Sequence, residues 1–166
     1  LDKHESKRYM QILTFSTNLE HIGDIIDKNL MEMASKKIRN QDNFSRQGFA
    51  EISDLHHRVM DNMNLAQNVF MTGDVKMARK LFEEKVVLRN QEMMAAESHF
   101  KRLSQGVAET IATSSLHPDT LRDLRRINSY VSLIAYPILE EANELKTTRL
   151  RTTKPRAKKP SPEKKS

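Results

Sequence analysis

Apolar residues recur every three or four positions over four long stretches of this chain, a period that fits a helix and not a strand. The first stretch, from Glu5 to Arg39, runs through Phe15, Leu19, Ile22, Ile26, Leu30 and Met33. The second, from Ser45 to Thr72, runs through Phe49, Ile52, His56, Val59, Met63, Ala66 and Phe70. The third, from Val75 to Gln105, carries Ala78, Phe82, Val86, Met93, Ala96, Phe100 and Leu103, with Arg89 as a charged interruption. The fourth spans Asp119 to Leu145. Gly73-Asp74 reads as a helix stop followed by an N-cap, Gly106 ends the third stretch, and "VAETIATSSLHP" is a connector whose Pro118 suits a first helical turn. Pro137 should kink the last helix, because proline lacks a backbone donor and clashes one turn back. With only four glycines, the chain has too few turn residues for a sheet protein. Short connectors then imply an all-α fold, an antiparallel bundle of four long helices over residues 1–145.

No apolar run approaches the roughly 20 residues of a membrane span. No secretion signal is visible, and the initial Leu1 suggests a piece of something longer. Cysteine is absent, which excludes disulfides and thiolate metal sites. The net charge of +6 is unevenly placed: residues 146–166 hold nine Lys or Arg and one acid, leaving 19 basic and 21 acidic residues in the body. The tail, low in apolar residues and containing Pro155, Pro160 and Pro162, is expected to stay disordered. Its Arg149, Arg151, Lys154, Arg156, Lys158 and Lys159 suit an anionic membrane surface. A nucleic-acid partner is disfavoured by the acidic body and by the lack of aromatics among the basic residues.

Within "NLEHIGDIIDKN" the acids Glu20, Asp24 and Asp27 form one helical stripe. Tyr9 and Leu13 precede them on that stripe, and Met31 and Ile38 follow, so the acids are expected in an interior groove rather than on a solvated face. Asn18, His21, Lys28 and Lys36 gather on the opposite side. Grouped carboxylates repel and resist ionisation unless a cation compensates. An oxygen-only set suits Mg²⁺, Mn²⁺, iron or Zn²⁺; arginines from another helix would serve equally well. His56 reads as a hydrogen-bonded core or groove histidine, and the nine methionines as core filler or a contact surface. No phosphate-binding glycine loop or nucleophilic triad is present, so nothing argues for catalysis.

The stretch "NLEHIGDIIDKNL" resembles the signature of PhoU-like domains, with Glu20 and Asp24 as its paired acids and Gly23 just before the second. "FMTGDVKMARKLFEEK" is similar to the junction between the second and third helices of that family. "SSLHPDTLRDLRRINSYVSLIAYPILEEANEL" is similar to the last helix of the PhoU-like domain that follows the membrane part of bacterial sodium/phosphate cotransporters. The resemblance implies a bundle built from three-helix repeats and a non-enzymatic role in phosphate uptake or its control. It also implies iron or a divalent metal at Glu20, Asp24 and Asp27. The expected setting is the cytoplasmic face of the cell membrane, as a regulatory part of a sodium/phosphate symporter, with the transmembrane part as partner and a second copy as a further candidate. The alternative is a freestanding adaptor regulating a phosphate ABC transporter or a sensor kinase.

A shift of 105 residues superposes Leu19, Ile22 and Ile26 on Leu124, Ile127 and Val131. The same shift sets Glu20 on Arg125, Asp24 on Ser129 and Asp27 on Ser132, so the second copy has exchanged its acids for a cation and hydroxyls. Arg125 and Arg89 therefore become candidates to neutralise the acids directly, beside the metal that the resemblance implies.

Overall fold

The computed structural model describes the backbone of residues 2–142. The basic segment 146–166, with Arg149, Arg151, Lys154, Arg156, Lys158 and Lys159, lies outside the described residues. The first stretch folds as α1 (Lys3–Asp24), a π-helical segment (Ile25–Leu30) and α2 (Met31–Asn40), one running into the next. An Asp2/Glu5 capping box starts the rod, and Gln41, at φ 57°, ends it in the left-handed region. Helix α3 (Arg46–Thr72) is capped by Ser45 and closed by Gly73 at φ 65°; α4 (Val75–Ser104) is capped by Asp74, whose Oδ1 accepts from Met77 N at 2.8 Å. The connector holds one short helix, α5 (Ala108–Ala112). Helix α6 (Leu116–Ser132) carries Pro118 in its first turn, and α7 (Ala135–Glu141) carries Pro137 in its own. The expected kink is the break at Leu133-Ile134: Pro137 cannot donate to Leu133 O, and Tyr136 N reaches that carbonyl instead at 3.3 Å.

Four long rods run antiparallel in chain order. Gln47 meets Ser98 and Arg58 meets Glu84 across α3 and α4; Lys85 meets Tyr136, and Arg125 meets Glu92, across α4 and the α6–α7 rod. Asn29 meets Asp123, and His21 stacks on Tyr130 at 4.9 Å, across the first rod and α6. Helices α3 and α6 run parallel and pack directly on each other. Leu55, Val59, Ala66 and Val69 of α3 lie in one buried cluster with Leu121, Leu124, Ile127 and Val131 of α6. Leu81 and Leu88 seal that cluster from α4, and Ile22 and Ile25 seal it from the first rod.

The seams follow the apolar periodicity in part: Ile22, Val59, Ala66 and Ala78 are buried, and Phe15, Leu30, Ile52, Met63, Phe70 and Phe82 pack against the core. Leu19, Ile26, Phe49, Val86, Met93 and Phe100 face outward, while Asn18, Asn62, His99, Arg102, Asp123 and Asn128 are buried. Asn62 Nδ2 donates to Asn128 Oδ1 at 2.8 Å in the middle of the α3–α6 contact, which shows why. A polar pair that satisfies itself occupies core positions that the sequence pattern assigns to apolar side chains.

Candidate functional site

Glu20, Asp24 and Asp27 share one face of the first rod, but that face is exposed, not an interior groove. The seam that docks on the bundle runs through Asn18, Ile22 and Ile25, which sets the acids on the far side of the helix. Asp24 Oδ1 pairs with Lys28 Nζ at 2.9 Å along the same helix, and this hydrogen bond, with the charges of Asp24, Asp27 and Glu20, raises the lysine pKa. Among the described residues no three His, Asp or Glu side chains stand together as a metal site requires. The residues present therefore do not by themselves fit the implied metal.

The arginine alternative fails on geometry as well. Arg125 Nε lies 3.0 Å from Glu92 Oε2 on α4, and Arg89 lines the same groove between α4 and α6, so both arginines serve a different face from the acids. His56 is not in the core; it is exposed, lines a groove with Leu30, Ile52 and Leu124, and meets His57 edge to face.

The acids sit beside a broad apolar surface. Ile12, Leu19 and Ile26, seven residues apart, are 46%, 41% and 45% exposed; Tyr9, Leu13, Met31 and Ile38 widen the exposed apolar face. Gly23 lies within this surface, and a Cβ built on it meets nothing within 4 Å. A helix-interior glycine costs about 1 kcal/mol relative to alanine, and nothing inside this bundle repays it. Seven of the nine methionines, Met10, Met31, Met60, Met71, Met77, Met93 and Met94, are also exposed, as suits a contact surface better than core filler.

One polar cluster escapes sequence reading altogether. Near the start of α3, Glu51 accepts from Arg102 Nη1 and Nη2, both at 2.8 Å, and His117 Nε2 approaches its Oε2 to 3.0 Å, off the line of a good hydrogen bond. The His99 and His117 rings stack at 4.7 Å, only 3° from parallel. Burial, then the proximity of His99, lowers the His117 pKa to about 4, overriding the opposing pull of Glu51. At neutral pH the His117–Glu51 contact is thus one between a neutral imidazole and a carboxylate. Burial pushes the Glu51 carboxyl up, but Arg102 and the Ser98 hydroxyl outweigh it and hold the pKa below the usual value. Gly48 completes the cluster, since a Cβ there would come within 3.1 Å of His117 Cδ2 and Ser45 Oγ. This group fastens α3, α4 and α6 at one end.

Comparison with known proteins agrees with this architecture. The PhoU domain family model matches residues 52–138. A protein of Escherichia coli K12 named "Putative inorganic phosphate export protein YjbB" is 36% identical over 144 residues, and its namesake in Salmonella typhimurium LT2 is 35% identical over the same length. The match covers 87% of this chain but 26% of each relative, so the chain spans about a quarter of their length. No solved structure matches. Its long helices, capped and folded back as described, and the match over more than half its length show that the chain belongs to the PhoU domain family.

Proposed function

We propose that this chain is a non-enzymatic regulatory domain of an inorganic phosphate transporter, seated through the outward face of its first rod against the membrane-embedded transport part. The observation that carries this reading is the exposed surface of Ile12, Leu19 and Ile26, flanked by Glu20, Asp24 and Asp27 and opened by Gly23. Contiguous exposed apolar area of this kind marks an interaction site. The flanking acids suit basic groups of the partner, and Gly23 allows a close approach of its backbone. No helix among the described residues is long and apolar enough to cross a membrane, so the transport part would lie in other sequence. The relatives named for inorganic phosphate export, of which this chain matches 26%, support a setting in phosphate transport.

The finer reading is a sodium-coupled transporter, with the domain on its cytoplasmic side and the basic segment 146–166 resting on anionic lipid. A freestanding adaptor of a phosphate transporter or sensor kinase would present the same rod to a separate polypeptide. The chain has no cysteine, so once any cysteine elsewhere in the full-length protein is replaced, a single introduced thiol reports one position. In the full-length protein in membranes, Leu19→Cys carrying a photoactivatable crosslinker is expected to couple to the transport part, whereas Glu83→Cys on α4 is not. Equal coupling from both positions, or none from Leu19→Cys, would refute the contact.

A further inference from the structure

The groove between α4 and α6 has three cations among its lining residues. It encloses about 450 Å³ and brings together Lys85, Arg89, Arg125, Asn128 and Ser129, with Glu92 as its one acid. Glu92 is shared with Arg125, whose Nε is buried and lacks a well-directed hydrogen bond despite lying 3.0 Å from Oε2. Lys85 Nζ is steadied by Tyr136 OH at 3.0 Å and lies over that ring, so only one of its three N–H donors is engaged there. Arg89 is exposed, and its guanidinium brings five donors to the rim. Three cations against one carboxylate leave the groove with a formal charge of +2.

We propose that this groove binds a phosphate-type oxyanion, held by the guanidinium groups of Arg89 and Arg125 and by the Lys85 ammonium. Arginine forks match the spacing of phosphate oxygens and hold them with charge-assisted hydrogen bonds. The ligand displaces Glu92 from Arg125, which gives the buried Nε the acceptor it lacks and ties α4 to α6 through a new bridge. Arg125 and Ser129 stand where the first copy carries Glu20 and Asp24, so a cation and a hydroxyl replace two acids on this helix and leave the groove open to an anion. The ligand deepens the regulatory reading by giving the domain something to sense. The binding itself is a property of the chain alone, so its failure would leave the contact made by the first rod untouched.

The test is titration of the 166-residue chain with inorganic phosphate at low ionic strength, followed by calorimetry and by amide shifts of α4 and α6. A second arm uses sedimentation of residues 1–145, without the basic segment that would itself bind anionic lipid, with phosphatidic acid vesicles, phosphatidylcholine vesicles serving as blank. Saturable binding of inorganic phosphate identifies the free ion as the source; binding confined to phosphatidic acid identifies a lipid headgroup. In either arm Arg89→Gln is expected to weaken binding roughly tenfold, having removed charge-assisted hydrogen bonds from an exposed position that does not endanger folding. Glu92→Gln is expected to strengthen binding, because it frees Arg125. Unchanged binding in Arg89→Gln, weaker binding in Glu92→Gln, or no saturable binding in either arm would overturn the proposal.

Discussion

The two sides of the α3–α6 pair are held in different ways. On one side α4 buries Leu81 and Leu88 and locks its end with Arg102 on Glu51. On the other, the rod from Lys3 to Asn40 buries only Asn18, Ile22 and Ile25; Phe15 and Leu30 pack partly on the core, and polar contacts such as Lys7 with Glu141, Arg8 with Phe70 O and Asn29 with Asp123 hold its ends. Helix α6 buries nine residues in half that length. The three helices α3, α4 and α6 thus carry a core of their own, and the first rod is laid onto it. Buried apolar area sets most of the docking energy, so a rod with two buried aliphatic side chains spends little of its surface on its own domain. What it keeps exposed is available to something else.

The sharpest way to break that contrast is to cut the polar lock. Arg102→Leu would leave the partly buried Glu51 beside a neutral His117 with no cation, and should cost up to the about 3–5 kcal/mol of a fully buried pair broken on one side. Urea unfolding should show the loss, and Glu51→Gln added to Arg102→Leu should restore much of it. The exposed Lys28–Asp24 pair on the first rod is the counterpart, and Lys28→Ala should leave the unfolding midpoint unchanged. A large effect from Lys28 and none from Arg102 would reverse the assignment of the two sides.

Acid offers a gentler probe of the same lock. His117 binds a proton near pH 6.5 when unfolded but only near pH 4 when folded. Between those values the unfolded state holds more protons, so stability is complete above about pH 6.5 and falls as pH drops through the window. Roughly 3 kcal/mol should be lost on reaching pH 4. Glu51, also lowered, adds a loss of the same sign once the pH falls through its folded value. Denaturant unfolding across this range measures it. A stability flat from pH 7 to pH 4.5 would mean that His117 is not buried neutral.

Helix ends were legible in the sequence because their causes are local. Gly73, Asp74, Gly106 and Pro118 act within one turn, and Pro137 broke its helix one turn back at Leu133. The seams were legible only in part, because apolar periodicity assumes that the core is apolar. Asn62 facing Asn128, and Arg102 facing Glu51, put polar groups into the helix contacts, and Phe49, Val86, Met93 and Phe100 face outward while Val59, Ala66 and Ala78 stay buried. The π-helical segment at Ile25–Leu30 adds a phase change, since one wide turn shifts every later residue around the rod. Glu51, Arg102 and His117 carry no spacing signal, being brought together from three helices. Gly48, a glycine inside a predicted helix, was their one local trace. The acids of the first rod were aligned as read, but the apolar residues beside them face outward, so their burial was misjudged.

The smallest expected effect tests the remaining side of the comparison. Leu19 and Ile22 are neighbours on the rod, yet Ile22 is 5% exposed and Leu19 is 41% exposed. Ile22→Ala removes half of the rod's buried aliphatic contact and should cost about 2 kcal/mol, the low end for a core truncation, because a thinly docked helix can settle into the space. Leu19 lies outside the buried core, so Leu19→Ser should change stability by less than about 0.5 kcal/mol. Measured together on the isolated chain, the two variants ask whether the outward apolar face serves this fold. Equal losses would mean that Leu19 is part of the domain's own packing, and the face would then not be free for a partner. A loss confined to Ile22 would mean that the exposed leucine and isoleucines contribute nothing here, and their place on the surface would need a partner to explain it.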